Sequence, residues 1–147
     1  MEARNNLKDF DIEYRGVGVG DSNKKLRFSQ HGDSTSTFTV SDEHNQTDTV
    51  EMEIVAIDED IPLDKHITFI KMDIEGMELQ ALEGAKKHIR VDRPILAICL
   101  YHNVTDIWKL PLYIEKIVGE NYRFYLRHYT FYHGETVFYA VPNERYN

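Results

Sequence analysis

The chain has only one cysteine, Cys99, among its 147 residues. A disulfide within the chain is therefore impossible, and a zinc site built from cysteines is excluded. Cys99 lies in an apolar run, which predicts a small buried side chain. The sequence also lacks an apolar run of about 18 residues, the length that a membrane-spanning helix needs, and its N-terminus lacks the apolar core of a signal peptide. These absences predict a soluble, cytoplasmic protein without a membrane span.

Basic residues are missing from one segment. Residues 41–60 carry eight acidic side chains and no Lys or Arg, which accounts for the whole net charge of −8. The rest of the chain carries 17 acidic and 17 basic side chains. Such a balanced surface has no basic patch for a phosphate backbone, so we predict that nucleic acid is not a partner. The length and a hydrophobic content of 41% predict one domain over residues 1–147.

The N-terminal part has strand patterns. Ile12–Val19 alternates apolar and polar residues, turn-forming residues follow, and Leu26–Phe28 is again strand-like. This order predicts a β-hairpin. A short strand is expected at residues 37–40, and alternation over residues 50–57 predicts an edge or half-exposed strand.

The pattern changes from residue 67 onward. Residues 67–72 form a short apolar run, residues 77–90 have helical periodicity, and residues 94–100 are again apolar. This is a strand, helix, strand unit whose strands are apolar on both faces, as a parallel sheet covered by helices requires. The fold class is therefore predicted to be α/β.

The C-terminal part predicts two short helices and a hairpin. Thr105 is a candidate cap for a helix that runs through Trp108, and Pro111 suits the first turn of a second helix. We expect Trp108 to lie in the core. Residues 123–129 and 135–141 alternate around a turn at His133-Gly134, which predicts an antiparallel hairpin at the end of the chain.

A glycine-rich segment, Gly16-Val17-Gly18-Val19-Gly20, resembles the loops that cradle nucleotides. Such loops work when a helix begins directly after them, so that backbone amides meet the ligand. Here a turn and the strand-like Leu26–Phe28 follow instead. We therefore interpret the glycines as making room for close packing within a strand.

Charged residues collect where the predicted parallel strands end. Asp73 and Glu75 follow the strand of residues 67–72, and His102 follows the next strand. Ligands of open α/β sheets bind outside the carboxyl ends of the strands. Lys71 shares the face of Asp73 and Glu75, so mutual charge pairing is an equally natural interpretation. A metal site from Asp73, Glu75 and His102 is conceivable, but the spacing is not diagnostic and no metal is predicted.

These residues stand within a longer series of motifs. From Ile67 onward the sequence closely resembles the FkbM family of S-adenosylmethionine-dependent methyltransferases, and residues 10–60 resemble it weakly. The matching segments occur in order with the family's spacing: residues 69–78, 82–85, 94–98, 101–102, 106–108, Pro111, 125–129 and 135–137.

The resemblance implies a fold, a reaction and roles for residues. The fold is similar to that of Rossmann-like methyltransferases, a parallel sheet closed by a reversed C-terminal hairpin strand. Family members use S-adenosyl-L-methionine to methylate a hydroxyl or amine of a small molecule, sugar, or glycan or lipid precursor. For such a reaction Asp73 and Glu75, with Lys71 beside them, are the best catalytic candidates by position. His102 is either a candidate base or a loop histidine that makes a structural hydrogen bond.

The resemblance also implies a gap. In the family, a glycine-rich loop and an acidic residue that holds the cofactor's ribose lie on two strands that precede the segment where this chain begins. Val17–Asp21 maps onto the third strand, so Asp21 and Ser22 are candidates to approach the adenine, although turn formation alone would explain both. The chain thus resembles the C-terminal portion of a methyltransferase domain.

Three explanations of this gap remain open. We expect that the sequence is a fragment of a longer protein. The first alternative is a natural truncation. The second is a chain completed by another subunit, including a homodimer that covers the missing strands. In each case the isolated chain is expected to be inactive. The alternative function is a non-catalytic methyltransferase remnant that acts as a dimerising or partner-binding module.

Overall fold

The computed structural model of the chain describes residues 11–29, 39–40, 49–131 and 134–146. Within these ranges the chain forms two four-stranded sheets and four α-helices. The strands are Gly18–Val19 (β1), Lys24–Ser29 (β2), Thr39–Val40 (β3), Thr49–Val55 (β4), Phe69–Met72 (β5), Ile95–Cys99 (β6), Tyr122–His128 (β7) and Thr136–Pro142 (β8). The helices are Ile57–Asp60 (α1), Glu78–Gly84 (α2), Lys86–Asp92 (α3) and Asp106–Val118 (α4).

The first sheet has the strand order β1-β4-β2-β3. Strand β4 lies parallel to β1 and antiparallel to β2, so the predicted hairpin of the first two strands is wrong. The side chain of Asn23 explains the difference, because its Oδ1 accepts the backbone N–H of Ala56 at 2.9 Å. The turn after β1 is thereby attached to the end of β4. Strand β4 is half-exposed, as predicted, but it is an interior strand rather than an edge.

The second sheet has the order β5-β6-β8-β7. Strands β5 and β6 are parallel, and β8 runs antiparallel to both β6 and β7. The predicted C-terminal hairpin is thus confirmed, and its last strand is the one that joins the parallel pair. His133, in the predicted turn, lies outside the described residues, as do residues 37–38 of the predicted short strand.

Helices α2, α3 and α4 cover one face of the second sheet. The core between them contains buried aliphatic and aromatic side chains: Ile70, Met72, Ala81, Leu82, Ala85, Ile89, Leu96, Ile98, Leu100, Leu110, Ile114, Ile117, Tyr122, Phe138 and Ala140. Strand β6 is buried on both faces, as expected. In β5, however, Phe69 and Lys71 are exposed and Ile70 and Met72 are buried, so the prediction of two covered faces is wrong for this edge strand.

The predicted helix over residues 77–90 is divided into α2 and α3 at Ala85. The division has two causes. Gly84 packs on the backbone of Gly20, where a Cβ would overlap the Gly20 carbonyl oxygen. The carboxylate of Asp58 accepts the N–H groups of Lys87 at 2.7 Å and His88 at 3.0 Å, which caps the new helix from outside.

The two helices predicted after residue 105 are a single helix, α4, with Pro111 inside it. An interior proline costs about 3 kcal/mol. Leu110, Ile114 and Ile117 are all buried, and each such side chain contributes about 1.5–3 kcal/mol. Continuous burial along the helix therefore outweighs the proline. Thr105 makes no capping hydrogen bond with its side chain, contrary to expectation.

Candidate functional site

The segment after β5, residues 73–77, contains a tight turn with two residues in the left-handed region of backbone conformation. Met77 donates its N–H to the carbonyl of Ile74 at 3.2 Å, and the two residues between them have positive φ angles, 56° for Glu75 and 94° for Gly76. Gly76 suits this position, because a Cβ there would lie 2.9 Å from Asn103 Nδ2. Glu75 has a Cβ and therefore lacks the conformational freedom of glycine. A left-handed conformation costs a non-glycine residue about 1–2 kcal/mol. The turn thus holds Glu75 in a strained conformation of the kind found at functional sites.

Asp73, the first residue of this segment, is held by two neighbours. The hydroxyl of Tyr101 donates to Asp73 Oδ1 at 2.6 Å, and Lys71 Nζ lies 3.5 Å from Oδ2. The hydrogen bond from Tyr101 lowers the pKa of Asp73 below its usual 3.8, and Lys71 adds to this effect against the opposing influence of partial burial. The same bond raises the pKa of Tyr101. Asp73 is therefore ionised at neutral pH.

His102 lies among carboxylates. Its Nε2 is 3.4 Å from Asp73 Oδ1 and 3.7 Å from Glu75 Oε2, and its Nδ1 is 2.8 Å from Glu78 Oε1. The contact with Glu78 has the distance of an ion pair but not the alignment of a hydrogen bond, because neither ring nitrogen has a hydrogen-bond partner among the described residues. The turn and the end of β6 thus bring together the predicted residues Lys71, Asp73, Glu75 and His102.

Glu78 is a member of this cluster that the sequence interpretation missed. Its side chain is only 1% exposed, and its Oε1 accepts the N–H of Ile74 at 3.0 Å. Glu78 lies in the first turn of α2, which is an ordinary place for an acidic residue because of the helix dipole. A signal was present, because Glu78 lies three and four residues before Ala81 and Leu82 and therefore shares their buried face. Tyr101 was also not among the candidates.

Asp21 and Ser22 lie on the turn between β1 and β2, apart from this cluster. Asp21 Oδ1 pairs with Lys24 Nζ at 2.6 Å and accepts the hydroxyl of Ser22 at 3.2 Å. The hydrogen bond from Lys24 lowers the pKa of Asp21. These contacts agree with the alternative of simple turn formation.

A cavity of about 290 Å³ lies beside the charged cluster. The first sheet and the turn after β5 both line it, with the residues Val17, Gly18, Val19, Met52, Ile54, Asp73, Ile74, Glu75 and Met77. Its wall is mainly apolar, with two carboxylates at one side. Gly18 fits closely here, since a Cβ would lie 2.5 Å from Ile54 Cδ1, and strand β2 rather than a helix follows the glycines. Gly18 and Gly20 thus agree with the packing interpretation, whereas Gly16 has open space around it.

Other expectations concern single residues and the membrane. Burial raises the pKa of the Cys99 thiol to about 11, as expected of a structural side chain. Trp108 is 49% exposed, so its prediction as a core residue is wrong. Within the described ranges, no group of three or more His, Cys, Asp or Glu side chains is arranged to hold a metal ion. No helix there is long and apolar enough to cross a membrane.

Comparisons with known proteins identify the family. A family model described as the Methyltransferase FkbM domain matches residues 2–134. The chain is similar to the crystal structure of Methyltransferase FkbM from Methylobacillus flagellatus KT, with 30% sequence identity and a TM-score of 0.70. That match covers 94% of this chain and 32% of the other, so the chain spans about a third of that protein's length. A search of curated proteins finds no match. The chain belongs to the FkbM methyltransferase family.

Proposed function

We propose that the chain forms the reactive edge of a methyltransferase that uses S-adenosyl-L-methionine. The observation that carries this proposal is the meeting of Asp73, Glu75, Tyr101 and His102 at the carboxyl ends of two parallel strands, beside an apolar cavity. The proposed acceptor is a hydroxyl or amine of a small molecule, sugar, or glycan or lipid precursor. No contact of the described residues favours the alternative of a non-catalytic module.

The cavity fits part of such a cofactor. When bound, S-adenosylmethionine supplies a methyl group on a positively charged sulfur. An apolar wall that ends in the carboxylates of Asp73 and Glu75 suits a ligand with an apolar body and a cationic centre. Ionisation of Asp73, supported by Tyr101 and Lys71, keeps this negative charge in place. Asp21 and Ser22 follow Val19 and Gly20 and stay predicted contacts to the adenine.

The chain's own residues also offer a route for the acceptor's proton. A hydroxyl that becomes methylated must lose its proton, and a positioned base speeds this step by about 10²–10⁴-fold. His102 Nε2 lies 3.4 Å from Asp73 Oδ1 and 3.7 Å from Glu75 Oε2, and both of these residues line the cavity. We therefore propose His102 as the base and Lys71 as the ion-pair partner of Asp73. Asp73 and Glu75 are proposed to orient the bound cofactor and to stabilise its positive charge.

Further polypeptide is part of the proposal. Strands β1 and β5 are edges of their sheets, and Phe69 on β5 is 52% exposed. An open, apolar sheet edge is usually covered in a native protein. We propose that additional residues, either of a longer chain or of a second copy in a homodimer, cover these edges, and that the 147 residues alone do not transfer methyl groups.

The test is an NMR titration of the chain with S-adenosylmethionine and, in parallel, with S-adenosylhomocysteine, whose sulfur carries no charge. We expect chemical-shift changes at residues 17–19 and 73–77, with the charged compound binding about two- to fivefold more tightly, as half-exposed charge pairs allow. In Asp73→Asn this preference should shrink, whereas Asp64→Asn, at an exposed position, should keep it. Shift changes confined to other regions, or none at millimolar concentrations, would contradict the proposal.

A further inference from the structure

We infer that Glu78 is a positioning residue, which holds the proton of His102 on Nδ1 and leaves Nε2 free to accept the proton of a hydroxyl acceptor. This inference rests on the proposed function and adds a residue to it. It also narrows the acceptor to a group that must lose a proton during transfer, which an alcohol does.

The burial of Glu78 is the first reason. A carboxylate that is 1% exposed needs donors, because burial in protein strongly disfavours its charge. Only the N–H of Ile74 donates to Oε1, and Oε2 has no hydrogen-bond partner among the described residues. The turn of residues 74–77 therefore donates a hydrogen bond to one oxygen of Glu78 and none to the other. His102 Nδ1 lies 2.8 Å from the same oxygen, Oε1.

The distances around His102 are the second reason. Attraction between charges falls with distance and with the surrounding dielectric. Glu78 Oε1 lies 2.8 Å from Nδ1 and is buried, whereas Asp73 and Glu75 lie 3.4 and 3.7 Å from Nε2 with side chains 37% and 48% exposed. Water screens the latter two. A neutral imidazole has one proton, and the nearer, buried carboxylate draws it to Nδ1.

The consequence for the reaction follows from this tautomer. As the acceptor oxygen forms its bond to the methyl carbon, the carbon–sulfur bond breaks and its electron pair stays on sulfur. The hydroxyl proton moves to His102 Nε2. The ring is then a cation, and the carboxylate of Glu78 stabilises it, as the buried carboxylate does in other carboxylate–histidine pairs. Both ring nitrogens of His102 are buried and lack an aligned hydrogen bond among the described residues, so the position at Nε2 is one that a bound acceptor hydroxyl would satisfy.

The first test is the ¹⁵N spectrum of the ring nitrogens in the 147-residue chain at a pH where His102 is neutral. We expect the Nδ1–H signature in the wild type and in Glu78→Asp. In Glu78→Gln the uncharged amide can still accept from Ile74, but the remaining carboxylates lie at Nε2, so the proton should shift toward Nε2. Glu83→Gln, an exposed position on the same helix, is the matched control and should leave the tautomer unchanged.

His88 gives an internal check of folding, because both of its ring nitrogens have partners of their own. Its signals should be the same in all variants. If the wild type shows the Nε2–H tautomer, or if Glu78→Gln keeps the Nδ1–H tautomer while His88 is unchanged, the inference is wrong.

The second test measures methyl transfer by the complete enzyme. Glu78→Gln should lower kcat about 10- to 100-fold with little change in KM, and Glu78→Asp should restore part of the loss. If the 147-residue chain shows the Nδ1–H tautomer but the complete enzyme transfers no methyl group, the proposed function is wrong and the role of Glu78 toward His102 stands. An active enzyme whose kcat is unchanged in Glu78→Gln would overturn the inference alone.

Discussion

The hydrogen bond between Tyr101 and Asp73 joins the two parallel strand ends at the level of single residues. Tyr101 donates to Asp73 at 2.6 Å across 28 positions of sequence, and this bond is the main reason why the pKa of Asp73 is lowered. A carboxyl group with a lowered pKa stabilises the fold at pH values above its unfolded pKa. That contribution disappears as the pH falls through the folded pKa.

We expect Tyr101→Phe to raise the pKa of Asp73 toward its usual 3.8, because the donor is lost while Lys71 stays nearby. The ¹³C chemical shift of the Asp73 carboxyl, followed between pH 2 and 6, measures the change. Tyr14→Phe, at an 82% exposed tyrosine, is the control and should have no effect. An unchanged titration of Asp73 in Tyr101→Phe would show that the hydrogen bond does not set its charge.

Helices α2 and α3 show how contacts between elements decide a boundary. The helical pattern over residues 77–90 has no break in its periodicity, yet α2 ends at Gly84. Gly84 lies against the backbone of Gly20, which follows β1, and Asp58 from α1 caps α3. Both partners are distant in sequence. The chain therefore bends where the first sheet approaches the helices of the second.

Gly84→Ala tests this packing. The added Cβ would overlap the carbonyl oxygen of Gly20, and backbone cannot rotate away as a side chain can. We expect a loss of about 1–3 kcal/mol in the free energy of unfolding, measured by urea denaturation. Gly16→Ala, at a glycine with open space around it, is the control and should change stability by less than about 0.5 kcal/mol. Equal effects of the two substitutions would contradict close packing.

At the scale of the whole molecule, one buried pair joins helix α3 to the segment that connects the two sheets. His88 Nδ1 lies 2.7 Å from Asp92 Oδ2, and its Nε2 lies 2.9 Å from the carbonyl of Ile61. Asp92 also accepts the N–H of Ile67 at 3.1 Å and contacts His66 at 3.0 Å. Residues 61–67, which connect α1 to β5, are thereby attached to α3.

This pair predicts a pH dependence of stability. Burial opposes the charge of His88, but the Ile61 carbonyl and Asp92 together raise its pKa above 6.5. Burial likewise opposes the charge of Asp92, but His88 and the N–H of Ile67 lower its pKa below 3.8. A raised histidine pKa stabilises the fold fully below the unfolded pKa and loses that effect as the pH rises through the folded value. For Asp92 the loss comes as the pH falls.

We therefore expect the contribution of this pair to be largest between about pH 4 and 6.5 and to decline above that range. Asp92→Asn should lower the free energy of unfolding by about 3–5 kcal/mol at pH 6, because it leaves His88 buried without its partner charge. His66→Gln, which changes the exposed partner of the same carboxylate, should cost less than about 0.5 kcal/mol. Denaturation of the three proteins between pH 4 and 9 measures both effects. Equal losses in the two variants would contradict a structural role of the buried pair.

The sequence by itself determined the features that depend on local pattern. Apolar periodicity located β5, β6 and the C-terminal hairpin, and the ordered motifs around Asp73 identified the family. Because parallel strands end at the same edge of a sheet, the positions of Asp73, Glu75 and His102 in the sequence also predicted that they would meet.

Only the tertiary structure decided which distant residues meet elsewhere. It inserted β4 between β1 and β2, capped α3 with Asp58 and brought Glu78 to His102 across 24 positions of sequence. A strand's neighbour and a buried charge's partner are chosen by packing between remote segments, which no local pattern contains. Glu78 has the helix-start position of an ordinary surface glutamate. Its burial against His102, a property of the folded chain, makes it a candidate for function.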